Sequence, residues 1–209
     1  MKEYHKIETL FERAMDGSKK LICGQWRNPT VEFLKDAVWH FTEKIDGTNI
    51  RVHWDGHKVT FGGRTERANI PANLVTFLND TFGGDENEQL FEQKFGENIV
   101  TLYGEGYGAG IQKGGLYRSD VSFILFDVQV GDVWLTRESV EDIATTLGID
   151  VVPFIGQGTL KDSVDFVRTK PMSRIGSAPM EGIVARPVVE LRDRMGRRVI
   201  VKIKVKDFE

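Results

Sequence analysis

The sequence predicts an α+β fold: two antiparallel β-sheets flanked by helices. Short apolar or alternating runs recur along the chain, and turn signals such as Asp46-Gly47, Asp55-Gly56 and Gly131-Asp132 follow or join many of them. Helical patterns occur in separate blocks, two of them in succession between residues 71 and 96. Strands joined by tight turns pair antiparallel, so the helices are expected to flank the sheets.

The composition predicts a soluble, intracellular protein. Of the 209 residues 40% are hydrophobic, which is enough for a core, and the net charge of −3 excludes a chain-wide basic coat but not a local basic groove. Cys23 is the single cysteine, so no disulfide can form within the chain. No apolar run approaches the roughly 20 residues of a membrane helix, and the first residues lack a signal-peptide core. We interpret residues 1–209 as a single domain.

Turn residues and hydrophobic periodicity predict the individual elements. The main predicted strands are Leu21–Trp26, Ala37–Phe41, Ile50–Trp54, Lys58–Phe61, Asn98–Glu105, Ser122–Val130, Val133–Leu135, Val151–Ile155 and Val201–Phe208, and a hairpin with a basic tip is expected over Val188–Val205. The predicted helices start at Pro71, after a capping arrangement at Asp85–Glu88, at Thr136 and at Leu160. The pattern of Ile7–Ala14 fits a helix or a strand.

One predicted strand delivers a lysine to the lip of a sheet. Lys44 follows an apolar run and stands just before the turn at Asp46-Gly47, and the next strand begins at Ile50. Such a lysine is either a solvated surface charge or a nucleophile. A nucleophile must lose the proton of an ammonium whose ordinary pKa is about 10.4, through partial burial or nearby cations.

The loop after the next hairpin and the end of a buried strand are further candidate sites. The glycines at 62 and 63 allow a ligand to approach the backbone before Arg64, which binds phosphate unless the loop is simply an exposed charged one. Glu105 ends the apolar strand that starts at Asn98. A carboxylate in that place costs free energy unless it has partners.

The last predicted strand alternates apolar and basic residues. Lys202, Lys204 and Lys206 therefore share one face of Val201–Phe208. That face is either the wet side of an ordinary half-buried strand or a cationic surface for phosphates.

Five short motifs follow one another along the chain. They are Lys44-Ile45-Asp46-Gly47, Tyr103-Gly104-Glu105, Phe126-Asp127, Glu181-Gly182-Ile183-Val184 and Lys202-Ile203-Lys204. In both type and order they resemble the motifs of covalent nucleotidyltransferases, namely ATP-dependent DNA ligases, RNA ligases and mRNA capping enzymes. Asn49, where DNA ligases usually carry Arg, and Arg186, where they commonly carry Lys, make the chain more similar to the RNA ligase 2 type of phages and some cellular organisms. The resemblance implies a nucleotidyltransferase domain with the nucleotide in a groove between the two sheets, in the cytoplasm of a bacterial or phage-infected cell.

The resemblance also implies catalytic and metal-binding roles. Lys44 would be the nucleophile that attacks ATP and forms a lysyl-AMP. Lys202 and Lys204 would contact the α-phosphate and lower the pKa of the nucleophile. Asp46 and Glu181 would help to hold Mg²⁺ or Mn²⁺, directly or through water.

Recognition of the nucleotide and of the nucleic acid is implied for a second set of residues. Glu105 would bind the ribose hydroxyl and Phe126 would lie against the adenine, with Phe123 as the rival because alternation places the two rings on opposite faces. Arg64 would recognise the 5′-phosphate end.

Two residues beside the Lys44 motif have implied roles of their own. Asn49 would address phosphate or the incoming end. Glu43 would either hydrogen-bond the adenine or support the loop around it.

The implied activity is an ATP-dependent RNA ligase, a monomer that joins 3′-hydroxyl and 5′-phosphate ends through an adenylylated 5′ end. The RNA would be a nicked duplex or an RNA/DNA hybrid. Related enzymes carry a further domain after the last motif, so a separate protein that supplies end recognition is an alternative. The motifs are also compatible with a minimal DNA ligase, with a capping enzyme, and with a nucleotide- or nucleic-acid-binding accessory protein without sealing activity.

Overall fold

The computed structural model describes residues 1–18 and 20–208 and has the predicted α+β fold with mainly antiparallel sheets. In these residues the strands are β1 (Glu8–Thr9), β2 (Phe11–Arg13), β3 (Leu21–Trp26), β4 (Trp39–Lys44), β5 (Thr48–Trp54), β6 (Val59–Gly62), β7 (Val100–Gly108), β8 (Val121–Val130), β9 (Val133–Trp134), β10 (Asp150–Val151), β11 (Phe154–Gly158), β12 (Gly182–Pro187) and β13 (Val201–Lys204). The α-helices are α1 (Pro29–Phe33), α2 (Ala72–Phe82), α3 (Asp85–Phe95), α4 (Arg137–Leu147) and α5 (Leu160–Arg168), and Gly114–Leu116 and Val205–Phe208 form short 3₁₀ helices.

The chain folds into two compact units, which are described separately. Unit 1 comprises residues 1–5 and 46–152, and unit 2 comprises residues 6–45 and 153–208. Among the residues that the structure describes, no helix is long and apolar enough to cross a bilayer.

The sheet of unit 1 has the strand order β10-β8-β7-β5-β6, with β9 paired to β8. All its pairs are antiparallel except β10–β8. In β5 the buried residues Ile50, Val52 and Trp54 alternate with polar ones, so one face of the sheet packs on helices α2, α3 and α4. The opposite face carries polar side chains, among them Asn49 and Arg51.

The sheet of unit 2 has the order β1-β13-β12-β4-β11, with β1–β13 as its one parallel pair, and β2 and β3 form a small separate sheet. Helix α5 begins with a capping box of Thr159 and Asp162 and buries Leu160 and Val167 in the core of this unit. The order matters for function because β12 pairs on one side with β4 and on the other with β13.

The helix boundaries were predicted with small errors. Thr136 and Gly148 cap α4 as expected. Asp85 and Glu88, however, lie in the first turn of α3 rather than before it, and the N-cap residue is Gly84. Acidic residues in a first turn interact favourably with the helix dipole, which explains why the cluster looked like a cap.

One predicted strand was wrong. Residues 151–155 form parts of two strands in two different sheets, since Val151 pairs with β8 whereas Phe154 pairs with β4. The break contains Pro153, whose nitrogen has no hydrogen for a strand ladder. The undecided segment Ile7–Ala14 contains strands β1 and β2.

The strand that was predicted to end at Glu105 extends further than expected. Strand β7 continues to Gly108 and stays paired with β8 through Val121. Strand β7 needs glycine at positions 104 and 106, because a Cβ atom at either position would collide with the core. At Gly104 the added Cβ would lie 2.2 Å from the ring of Phe123.

The last strand ends earlier than predicted. Strand β13 stops at Lys204, and the chain turns into a 3₁₀ helix in which the Val205 N–H donates to the Glu181 carbonyl at 3.0 Å. Asp207 of that turn accepts from Arg13 at 2.8 Å. Lys206 is therefore not on the same strand face as Lys202 and Lys204.

The predicted hairpin over Val188–Val205 is mostly irregular. Strand β12 ends at Pro187, and one isolated bridge joins Arg192 to Arg198. Within its basic tip, Asp193 accepts from Arg197 at 2.8 Å and Glu190 pairs with Arg198. These two acidic residues neutralise part of the positive charge.

Candidate active site

Lys44, Glu181 and Lys204 form one hydrogen-bonded cluster in unit 2. The Lys44 Nζ donates to Oε2 of Glu181 at 2.7 Å, and the Lys204 Nζ donates to Oε1 of the same carboxylate. The side chains of Lys44 and Glu181 are 23% and 14% exposed, so the cluster is mostly shielded but open to solvent on one side. A partly dry, charged cluster of this kind suits phosphoryl chemistry.

Strand pairing explains why these residues meet. Gly182 lies opposite Lys44 on one side and opposite Lys204 on the other. A Cβ atom at Gly182 would lie 2.2 Å from the carbonyl oxygen of Ile203 and 2.7 Å from the Cα of Lys204, and its φ of +157° is unusual for other residues. Glycine therefore allows β12 to start close to β13, with the Glu181 carboxylate between the two lysines.

The two lysines determine the charge of Glu181. Burial by itself would raise the pKa of this carboxyl, but the charge of Lys44 and the hydrogen bonds from Lys204 and Lys44 outweigh burial, and the pKa of Glu181 is lowered below its ordinary value of 4.5. The carboxylate is therefore ionised at neutral pH.

Lys202 lies on the face of β13 that also carries Lys204. It is opposite Val184 of β12 and half-buried, while Val201 and Ile203 of the same strand point into the core. The alternation predicted from the sequence thus holds for Lys202 and Lys204.

Glu43 lies on the face of β4 opposite to Lys44. It is 1% exposed, and its Oε2 accepts a hydrogen bond from the backbone N–H of Arg174 at 2.9 Å. Among the described residues, Oε1 of Glu43 has no hydrogen-bond partner. Arg174 in turn donates to the carbonyls of Phe154 and Ile155 at 2.7 and 3.2 Å. Glu43 therefore bonds to the irregular segment after α5, and its role toward adenine stays a prediction.

Asn49 and Glu105 lie side by side on the outer face of the unit 1 sheet. They are direct partners in the pairing of β5 with β7, and both are half-buried. The Oδ1 atom of Asn49 is buried without a hydrogen-bond partner among the residues described. Gly47 precedes them, and a Cβ there would lie 2.3 Å from the Gly106 carbonyl oxygen, so the turn after Asp46 needs glycine. An acceptor and a carboxylate on one face are suited to bind a polyhydroxylated ligand.

The two candidate phenylalanines have different environments. Phe123 is 1% exposed and packs edge-on against Phe82 in the core of unit 1, with ring centroids 5.4 Å apart. Phe126 is half-buried at a bulge of β8, where it contacts the ring of Tyr4. Only Phe126 of this pair has ring surface left for a ligand, although its adenine contact stays a prediction.

Arg64 is exposed just after β6. Its neighbour Arg51, in β5, was not among the residues predicted to contribute to the site. Arg51 is fully buried and donates from Nε to the Gly63 carbonyl at 2.7 Å. No local signal marks its burial, because Asn49, Arg51 and His53 alternate with the apolar residues of β5 as polar residues on a solvated face do.

Asp46 is half-buried and is the first residue of the 46–152 segment of unit 1. In the described part of the chain, no group of three or more His, Cys, Asp or Glu side chains is arranged to hold a metal ion. Asp46 and Glu181 therefore remain predicted metal ligands.

The fold and the cluster around Lys44 define a nucleotidyltransferase-type domain. A family model described as RNA ligase matches residues 37–204, which is most of the chain. The chain belongs to the RNA ligase family. No match was found among curated proteins.

Solved structures of Naegleria gruberi RNA ligase share this fold. A mutant form with ATP and Mn superimposes with a TM-score of 0.64 at 18% identity, over 86% of this chain and 52% of that one. The ligase with PPi gives 0.64 at 20% identity over 86% and 53%, and another mutant form with AMP and Mn gives 0.66 at 18% identity over 86% and 53%. The chain thus spans about half the length of these ligases.

Proposed function

We propose that this chain is the nucleotidyl-transfer domain of an ATP-dependent RNA ligase, in which Lys44 becomes covalently linked to AMP. The observation that carries the proposal is the cluster in which Lys44 and Lys204, from strands on either side of Gly182, both donate to Glu181. It combines a candidate nucleophile, a second cation and a carboxylate in one place.

The proposed first step forms a bond from the Lys44 nitrogen to the α-phosphorus of ATP while the bond to pyrophosphate breaks. An ammonium has no free electron pair, so a proton must leave Lys44 first. The Glu181 carboxylate, 2.7 Å away, is in place to accept it. The lowered pKa of Glu181 makes its carboxylate a weak base, so it would hold the proton only transiently and pass it on to water. Lys202 and Lys204 then stabilise the negative charge that grows on the phosphate.

A divalent cation, Mg²⁺ or Mn²⁺, is part of the proposal, supported by the similar structures that hold ATP or AMP with Mn. When bound, it neutralises phosphate charge and orients the pyrophosphate. Such cations are commonly held by one or two carboxylates together with phosphates and water. Glu181 fits this role because each of its oxygens keeps a lone pair beyond the one used by a lysine. Asp46 would be the second carboxylate.

Nucleotide recognition is proposed for the outer face of unit 1. Glu105 would bind the ribose, Phe126 would lie against adenine and Asn49 would bind phosphate or the incoming end. Among the described residues, the buried Oδ1 atom of Asn49 has no partner, which supports a ligand that donates a hydrogen bond, such as a hydroxyl of the incoming end. A phosphate would instead accept from the Asn49 amide nitrogen. Arg64 would bind the 5′-phosphate of RNA.

The proposed overall reaction transfers AMP from Lys44 to a 5′-phosphate, after which a 3′-hydroxyl attacks that end and releases AMP. The substrate would be a nicked RNA duplex or an RNA/DNA hybrid, and the chain would act as a monomer. The family match covers residues 37–204, which include parts of both units, and this supports the proposal that the two units act as one domain. A separate protein that supplies end recognition is the alternative for the sealing step.

The first test is covalent labelling with α-labelled ATP and Mg²⁺, followed by denaturing electrophoresis. We expect label on the wild type and none on Lys44→Ala, because no other group replaces the nucleophile. Lys206→Ala is the matched control, since this exposed lysine lies outside the cluster, and it should label like the wild type.

Label on Lys44→Ala equal to that of the wild type would assign the covalent bond to another residue. A wild type that takes no label from ATP, GTP or NAD would favour a binding role without ligase chemistry. Ligation of nicked RNA, nicked DNA and single-stranded RNA then separates an RNA ligase from a minimal DNA ligase.

A further inference from the structure

Arg51 is a buried charge that makes three hydrogen bonds from two of its nitrogens. Arg51 is 0% exposed, although its guanidinium group stays charged in proteins. Its Nε donates to the Gly63 carbonyl at 2.7 Å, and its Nη1 donates to the Met1 carbonyl at 2.8 Å and to Oε1 of Glu66 at 3.2 Å. A buried charge is tolerated only when such hydrogen bonds replace those that it loses with water, so the burial of Arg51 depends on these particular partners.

Two of these partners lie on either side of Arg64. Gly63 directly precedes it and Glu66 follows two residues later, so the guanidinium of Arg51 bonds to the backbone just before Arg64 and to a side chain just after it. Arg51 belongs to an inner strand, opposite Gly62 of β6. A Cβ at Gly62 would lie 3.1 Å from Nη2 of Arg51, so the glycine leaves room for the guanidinium under the turn.

We propose that Arg51 is a positioning residue that fixes the turn of residues 62–66 so that Arg64 binds the 5′-phosphate of RNA. This inference rests on the proposed function. Arg64 is exposed and has a long, flexible side chain, so its reach depends on where its backbone is held. A planar guanidinium with fixed donor directions holds a carbonyl in place better than a single ammonium does.

A positioning role predicts an effect on one step only. Self-adenylylation at Lys44 does not use the 5′-phosphate, whereas transfer of AMP to RNA does. Loss of Arg51 should therefore spare labelling and impair transfer. A residue that only maintains the fold would impair both steps, and would weaken binding of RNA with a 5′-hydroxyl as much as RNA with a 5′-phosphate.

The experiment compares wild type, Arg51→Met, Arg51→Lys, Arg64→Ala and the double variant Arg51→Met/Arg64→Ala. Each protein is labelled with α-labelled ATP, and AMP transfer to a nicked duplex with a 5′-phosphate is followed in a single turnover at increasing RNA concentrations. Binding of the same duplex with a 5′-hydroxyl is measured in parallel. Arg51→Met leaves the Gly63 and Met1 carbonyls without their donor, so the thermal stability of each variant is measured as well. Arg51→Lys keeps the positive charge but has a single donor nitrogen.

We expect both Arg51 variants to label within about twofold of the wild type, while the RNA concentration for half-maximal transfer rises by about tenfold or more for Arg51→Met, the loss typical of one charge-assisted hydrogen bond. Arg51→Lys should fall between the two. The double variant should be no worse than Arg64→Ala, because coupled residues are not additive.

Parallel loss of labelling and transfer, additive losses in the double variant, or equal weakening for the 5′-hydroxyl duplex would overturn the positioning role while leaving the proposed function intact. A wild type that accepts label but does not discriminate between 5′-phosphate and 5′-hydroxyl RNA would also overturn it. A wild type without label would instead overturn the proposed function itself, and the role of Arg51 with it.

Discussion

The two units hold their polar residues in contrasting ways. In unit 2, Lys44 and Lys204 both donate to the carboxylate of Glu181, so each of these three charged groups has a bonding partner inside one cluster, which we call the closed cluster although it keeps one net positive charge. In unit 1, a buried oxygen of Asn49 has no partner among the described residues, and Phe126 keeps free ring surface beside a bulge. A closed cluster of charges suits chemistry, because protons and charge can shift within it. An unsatisfied acceptor suits recognition, because a ligand can supply the missing donor.

Apart from removal of Lys44 itself, Gly182→Ala should have the largest effect on the closed cluster. The added Cβ would lie 2.2 Å from the Ile203 carbonyl oxygen, so β12 and β13 must separate. We expect the free energy of unfolding in urea to fall by about 3 kcal/mol. The rate of labelling should drop about 100-fold, since small shifts of reacting groups are costly.

Gly156→Ala is the control for this change. It lies in β11 of the same unit and has no atom within 4 Å of an added Cβ, so it should change stability by no more than about 0.5 kcal/mol. If both variants unfold and label alike, the close contact at Gly182 contributes neither to stability nor to the rate of labelling.

The phenylalanine pair tests the open region of unit 1. Phe123→Ala should lower the free energy of unfolding by about 3–5 kcal/mol, because the ring fills the core, and should leave the KM for ATP nearly unchanged in the fraction that folds. Phe126→Ala should cost less stability and raise the KM for ATP about tenfold, as expected when a stacked base loses its aromatic partner. Urea titration and labelling at varied ATP separate the two effects. The opposite pattern would transfer the adenine role to Phe123.

The smallest effect concerns the pH dependence that Glu181 contributes. The folded-state pKa of this carboxyl is lowered, so its contribution to stability is complete above its ordinary value of 4.5 and is lost as pH falls below 4.5 through the lowered pKa. The difference in free energy of unfolding between wild type and Glu181→Gln should therefore be constant near neutral pH and shrink in acid. Urea titrations from pH 7 down to pH 3 measure it, and a difference that grows in acid would contradict the lowered pKa.

Local periodicity correctly predicted one structural feature of the candidate site. The alternation of Val201–Lys204 placed Lys202 and Lys204 on one face, and it is correct because the two-residue period of a strand needs no distant partner. The same rule failed for Lys206, because Val205 leaves the strand to bond with the Glu181 carbonyl. That bond joins residues from different parts of the chain, which periodicity does not detect.

The bulge in β8 shows a second limit. Alternation correctly separated Phe123 from Phe126, but it did not say which ring would be buried. That depends on helix α2, whose Phe82 packs on Phe123, and on the bulge that leaves Phe126 beside Tyr4. Both are contacts between distant segments.

The sequence by itself determined the fold class, the strand that leads to Lys44 and the order of the motifs, since these depend on local periodicity, turn residues and residue type. Only the tertiary structure decided that Glu181 lies between Lys44 and Lys204, and that Arg51 is buried beneath the turn of Arg64. The position of Glu181 depends on β12 pairing with both β4 and β13. The position of Arg51 depends on the pairing of β5 with β6, which places Arg51 opposite Gly62. Strand partners are chosen by the burial of a whole core rather than by neighbours in the chain, which is why these two arrangements required the folded protein.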